Sequence, residues 1–201
     1  YISCIGAKYK CCPNVCVAMD GHKLSIEKSS NDCIQNHFYN SWKSSTYVNS
    51  LFLFAPDGSI CDTVHNTPGT MHDSTMASYG IYQSMHNIYE RTGGKVVVDS
   101  AFKLDMSNCL VKSGQIAPVD GAQFLMRKDA TSIRQLSEWG MRMIQAQFPR
   151  LYDKLMLEDE GDRRVILRLM IALYNYQTFN IGHNEILNSY MLEKDGYYDY
   201  N

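Results

Sequence analysis

KVVVDSAFKL, residues 95–104, runs three consecutive valines, Val96 to Val98, into an aspartate, Asp99. A short β-branched run that follows Gly93-Gly94 reads as a strand buried on both faces. The residues after it, DSAF, contain no Gly, Pro or Asn to announce a turn. A carboxylate at the end of a buried strand costs free energy unless it is paired, hydrogen-bonded or bound to a metal. The fold therefore turns on which residues meet Asp99.

Composition bounds the answer. The chain has 201 residues, 45% hydrophobic and 20% charged, the make-up of a globular domain. No stretch approaches the ~20 apolar residues needed to span a bilayer, so no membrane partner is expected. The net charge is -2, whereas a domain that holds nucleic acid by charge alone is usually basic. Seven cysteines, an odd number and scattered, suit reduced thiols inside a cell better than a disulfide framework. Cys4, Cys11, Cys12 and Cys16 lie close together, but their spacing matches no common structural zinc pattern and no histidine is near. Buried free thiols are the expected state. The chain opens on Tyr1, and residues 1–13 read as the remnant of a longer chain.

Further along, NVCVAMDG, residues 14–21, reads as a strand closed by a turn at Asp20-Gly21. The polar stretch 22–45 reads as an insertion or long loop. Residues 47–66 form a predicted β-hairpin, with arms Val48 to Phe54 and Ile60 to Val64 about the turn Pro56-Asp57-Gly58. A helix is expected from about Thr75 to Tyr89, capped by Asp73 or Ser74 and stopped by Gly93-Gly94. QIAPV, residues 115–119, is a short apolar piece. In the helix predicted over 132–148, Ile133, Leu136, Gly140, Met143 and Gln147 share one side, while Arg134, Glu138 and Arg142 share another. Pro149 ends it. A second long helix follows from Arg163, with Ile166, Leu169, Met170, Leu173 and Tyr174 as its core stripe. Trp139 and Tyr174 are most simply core, and 191–201 is a polar tail. Strand, hairpin, helix, strand, helix, helix is the order of an α/β protein with a mixed sheet flanked by helices.

Asp20 also ends an apolar run. If its strand lies parallel and adjacent to that of Asp99, both carboxylates emerge at the edge where α/β sheets bind ligands. Glu138 is the third candidate. Two carboxylates ~4 Å apart repel by about 4 kcal/mol at an effective dielectric near 20. Such a cluster stays ionised only beside a cation, and hard oxygen donors with open positions suit magnesium or manganese. Each residue also has a plainer reading. Asp20 before a glycine is a common turn residue. Glu138 between Arg134 and Arg142 is a common solvated ladder. His72 and Asp73 suit a helix start.

MDGHKLSI, the long run from Phe38 to Ser74, VVVDSAF, RQLSEWGMRMIQAQFPRL and LYNYQTFNIGHNEI occur in an order that resembles the DDE superfamily endonucleases of PIF/Harbinger-type transposases and their domesticated relatives. The resemblance implies a ribonuclease H-like fold over residues 14–190. It implies a triad of Asp20, Asp99 and Glu138 holding two Mg2+ or Mn2+ ions, with His72 and Asp73, in the segment from Pro68, in support. DNA is the implied substrate, cut at transposon ends and then joined through the freed 3′-hydroxyl. Lys128, Arg134 and Arg142 are candidate phosphate contacts. The nucleus is the implied location. A separate DNA-binding partner protein and a homo-oligomer are further expectations. The alternative is a domesticated, non-catalytic module for tethering DNA or binding protein.

Overall fold

The computed structural model describes residues 1–102, 108–114, 121–156, 160–182 and 184–191. Helix α1 (Ile2–Lys8) leads into strand β1 (Val15–Ser25). Helix α2 (Asp32–Phe38), the short β2 (Tyr39–Asn40), β3 (Ser45–Phe54) and β4 (Ile60–Pro68) follow. Next come α3 (Asp73–Ala77), α4 (Ile81–Thr92), β5 (Lys95–Val98) and β6 (Leu110–Lys112). The chain closes with α5 (Gly121–Gln147), a 3-10 turn (Pro149–Tyr152), α6 (Glu160–Ile181) and α7 (Glu185–Tyr190).

The strands form one mixed sheet. β1 is antiparallel to β3 on one side and parallel to β5 on the other, and β6 continues the parallel half. Along its far edge β3 carries β4 and, at its start, β2. Helices cover both faces. Phe52, Phe54 and Val97 pack with Ile133 and Leu136 of α5, with Leu167 and Tyr174 of α6, and with Ile186 of α7. On the opposite face Met19, Leu53, Val96 and Val98 pack with Met76 of α3 and with Ile81 and Met85 of α4. Val96 to Val98 are fully buried, as a strand covered on both sides must be. The mixed sheet flanked by helices is the architecture expected of a ribonuclease H-like domain.

Several local expectations are corrected. β1 does not turn at Asp20-Gly21: these residues pair with Phe52 and Leu51 of β3, and the ladder carries the strand on to Ser25. The supposed loop 22–45 holds the second half of β1, together with α2 and β2. The helix expected over 75–89 is two helices broken at Gly80, whose φ of 132° no ordinary helical residue adopts. The N-cap of α3 is His72, which makes no side-chain capping bond, rather than Asp73 or Ser74. β6 was not foreseen. QIAPV and residues 192–201 of the tail lie outside the described residues. Of the clustered thiols Cys12 and Cys16 are buried and Cys11 is exposed.

The long helices differ most in which side they bury. α5 buries Ile133, Leu136 and Gly140 as expected, and adds Ala130, Ser137 and Ile144. Gly140 is there for space: a Cβ on it would run into Cε1 of the Phe54 ring. Of the stripe predicted on α6, Tyr174 is in the core and Met170 packs partly buried against it, but the other three residues are not. The buried line of α6 is Arg163, Leu167, Tyr174 and Thr178, while Ile166, Leu169 and Leu173 are exposed. Arg163 takes a core position by donating to Asn66 Oδ1 at 2.5 Å and to the Met156 carbonyl at 2.8 Å. Tyr174 donates to the Gly58 carbonyl at 2.8 Å, which ties α6 to the hairpin turn.

Candidate active site

The parallel pairing of β1 with β5 sets Ala18 opposite Val97. Side chains alternate along a strand, so Asp20 and Asp99, each two residues further on, project to the same face as Ala18 and Val97. That face is the one α5 covers. Asp20 takes a hydrogen bond on Oδ1 from the Gly21 N–H at 2.8 Å. Asp99 takes one on Oδ1 from the Ser100 N–H at 2.6 Å, just beyond the end of β5.

From α5, Arg134 reaches down with both arms. Its Nη1 lies 2.8 Å from Asp20 Oδ2, and its Nη2 lies 2.9 Å from Glu138 Oε1, one turn along the same helix. The guanidinium thus bridges the strand carboxylate and the helix carboxylate. The sequence read Arg134 as a phosphate contact and, four residues from Glu138, as part of an ion-pair ladder; the Arg134–Glu138 pair of that ladder is present, and the reach to Asp20 was not legible.

Asp73 completes the group. It opens α3 and lies against Gly21, where a Cβ would come within 2.9 Å of its Oδ2. A glycine after Asp20 therefore makes room for a carboxylate instead of making a turn. The loop before Asp73 is pinned by amides: Asn49 Nδ2 donates to the Met71 carbonyl at 3.0 Å and Asn40 Nδ2 to the Gly69 carbonyl at 3.1 Å. His72 is exposed beside it. Lys128 and Arg142 are exposed on α5.

The electrostatics are those of crowded acids. Burial raises Asp20 above the usual carboxylate range; the Gly21 N–H and Arg134 oppose this, and the charges of Asp99 and Asp73 add to it. Asp73 is raised by burial and by Asp99, against the pull of Lys23 and His72. Negative charge is concentrated here beyond what Arg134 balances. All-oxygen carboxylate donors gathered in this way suit a hard divalent cation, the class of ion that DDE endonuclease domains generally use. Among the described residues, however, no three His, Cys, Asp or Glu side chains stand close enough together to hold an ion with Arg134 seated between Asp20 and Glu138.

No curated protein and no solved structure matches the chain. A family model described as DDE superfamily endonuclease matches residues 19–175, a span that contains Asp20, Asp73, Asp99, Arg134 and Glu138. With most of its length matched, and with a mixed ribonuclease H-like sheet that carries Asp20 within β1 and Asp99 just past β5, the chain belongs to the DDE superfamily endonucleases.

Proposed function

We propose that this domain is a divalent-metal-dependent DNA endonuclease of the transposase kind, with Asp20, Asp99 and Glu138 as its catalytic carboxylates. The observation that supports the reading is the parallel pairing of β1 with β5, in which Asp20 and Asp99 each follow the pair Ala18–Val97 by two residues and Asp20 feels the charge of Asp99, under the helix that carries Glu138. Asp20 and Asp99 would hold the metal, Mg2+ or Mn2+ and in the pair the family reading implies, with Glu138 completing the set. When bound, such a pair supplies an activated hydroxyl and neutralises the charge on the phosphodiester.

The residues of the chain do the rest. The Gly21 and Ser100 N–H groups fix one oxygen of each aspartate; Arg134 holds the second oxygen of Asp20 and would have to yield it to a ligand, while the second oxygen of Asp99 can turn toward one directly. Arg134 holds Asp20 and Glu138 in mutual register and supplies a positive charge to the resting site. Asp73 and His72 flank the pair, and Lys128 and Arg142 offer cations to phosphate along α5. Cleavage at transposon ends, strand transfer by the freed 3′-hydroxyl and action in the nucleus belong to the same proposal. So does a separate DNA-binding partner, which a chain of net charge -2 would need for a strong grip on its substrate.

The seat of Arg134 between two of the acids also suits a second reading, in which the closed ion-pair network is purely structural and the domain binds DNA or protein without cutting. Two measurements separate them. Mn2+ binding is followed by the loss of its free-ion magnetic resonance signal, and nicking is followed on supercoiled plasmid. Catalysis predicts saturable Mn2+ binding that Asp99→Asn weakens at least tenfold, and nicking that the same change removes. Wild-type protein that neither binds Mn2+ nor nicks would favour the non-catalytic module.

A further inference from the structure

Helix α6 has two apolar faces, and among the described residues only one is covered. Its buried line points into the sheet. On the opposite side Val165, Ile166, Leu169, Leu173, Tyr176 and Phe179 are each between 44% and 66% exposed. From Leu169 to Ile181 the helix carries no charge at all. A helix that is apolar all round is normally buried all round. Beyond Arg164 and Arg168 at its start, the aromatic-containing stripe lacks the cations that a phosphate backbone needs, so it is a poor surface for DNA.

We propose that α6 is a dimer contact, through which two copies of this chain pair with their α6 helices antiparallel. Three observations commit the surface to a second copy. The first is spacing. Residues 166, 169, 173 and 176 recur at three, four and three, the spacing of a coiled-coil seam. The second is self-complementarity about a two-fold axis. An antiparallel pair centred near Ile171 sets Leu169 of each copy against Leu173 of the other, and Ile166 against Tyr176. On the flank the pairing is centred one residue on, at Ala172, and sets Val165 opposite Phe179, a small side chain against a large one. It brings Ala172 against its own copy, where a methyl group lets the helices approach. A two-fold contact uses one patch twice, as this geometry requires.

The third is area. Six large side chains, each 44–66% exposed, offer a substantial part of the ~800 Å2 per partner of a standard stable interface. The remainder is at hand. A groove of about 610 Å3 runs beside Ile166, Leu169 and Leu173, with Phe148, Leu155 and Met156 on its other wall. Met156 is itself 67% exposed there. The seam lies on the helix that covers β4, away from β5 and β6, so pairing leaves the Asp20–Asp99 edge of each copy open.

Sedimentation of the whole chain across ~1–100 μM tests this. The parent should be a dimer, and Leu169→Glu and Leu173→Lys should each weaken it ~100-fold or more, the scale of central interface positions. Both side chains are exposed, so far-UV circular dichroism should match the parent. Mixing the two variants should restore a heterodimer, because antiparallel pairing places the new carboxylate of one copy against the new ammonium of the other, whereas a parallel pair would not. A control, Tyr152→Glu, changes an exposed aromatic outside the stripe and should leave the dimer intact. A parent that stays monomeric to ~100 μM, a dimer indifferent to both variants, or variants that fail to pair on mixing would each overturn the proposal.

Discussion

Asp99 acts on two neighbours at once, since its charge pushes up both Asp20 and Asp73. Replacing it by the nearly isosteric asparagine relieves that repulsion. The metal-free Asp99→Asn protein should therefore be at least as stable as the parent, by roughly 0.5–1 kcal/mol once solvent screening is discounted. That is ~2–4 °C in Tm at most for a domain of this size. A lower Tm by differential scanning calorimetry would mean that Asp99 serves a structural ion pair instead. The thiols give a second test at this scale. Burial pushes Cys12 and Cys16 up to about 11, with the charge of Asp129 adding to the effect at Cys12. At pH 8 about one in a thousand of each is thiolate, and raising the pH increases that fraction tenfold per unit. Exposed Cys11 and Cys33 should react with Ellman's reagent in the fast phase, while Cys12 and Cys16 wait for opening of the fold. A fast phase that included Cys12 or Cys16 would contradict their burial.

Among the elements, α5 depends on one missing methyl group. Alanine is favoured over glycine within a helix by about 1 kcal/mol. At Gly140 the added Cβ would instead meet the Phe54 ring, which is fully buried between sheet and helix and has nowhere to retreat. Gly140→Ala should therefore destabilise by about 1–3 kcal/mol in urea unfolding, the usual cost of overpacking. A stabilised variant would show that the ring moves aside. Where periodicity met a single neighbour, the elements were legible before folding: the β3–β4 hairpin, the valine strand β5 and the inner face of α5. Where a partner overrode a local signal, they were not. β1 continues through Asp20-Gly21 because β3 supplies its hydrogen bonds. The exposed stripe of α6 looked like core because an apolar repeat does not say whether its partner is inside or outside the molecule. The positions of Asp20, Asp99 and Glu138 could be named from motif order, but Arg134 between them required the geometry of α5 against β1.

As a whole the molecule is slightly acidic, with a crowd of carboxylates at one sheet edge. Its own affinity for duplex DNA should be weak, with a shallow salt dependence. Log affinity against log salt falls by about 0.9 per phosphate neutralised, so few contacts mean a small slope. Fluorescence anisotropy over a salt series, with and without Ca2+, checks this, and Ca2+ should tighten binding by offsetting the carboxylates. Tight, steeply salt-dependent binding without Ca2+ would move weight to the tethering alternative. The parallel pairing of β1 with β5 carries one more consequence, for the order of events in folding. β1 and β3 join across a short stretch of chain, but β5 pairs with β1 across the whole of the hairpin, α3 and α4. Parallel contacts between distant segments form late, because closing the long intervening loop comes before any reward. Asp99 should therefore arrive beside Asp20 late in folding, and a chain that ends before β5 should carry Asp20 without its neighbour.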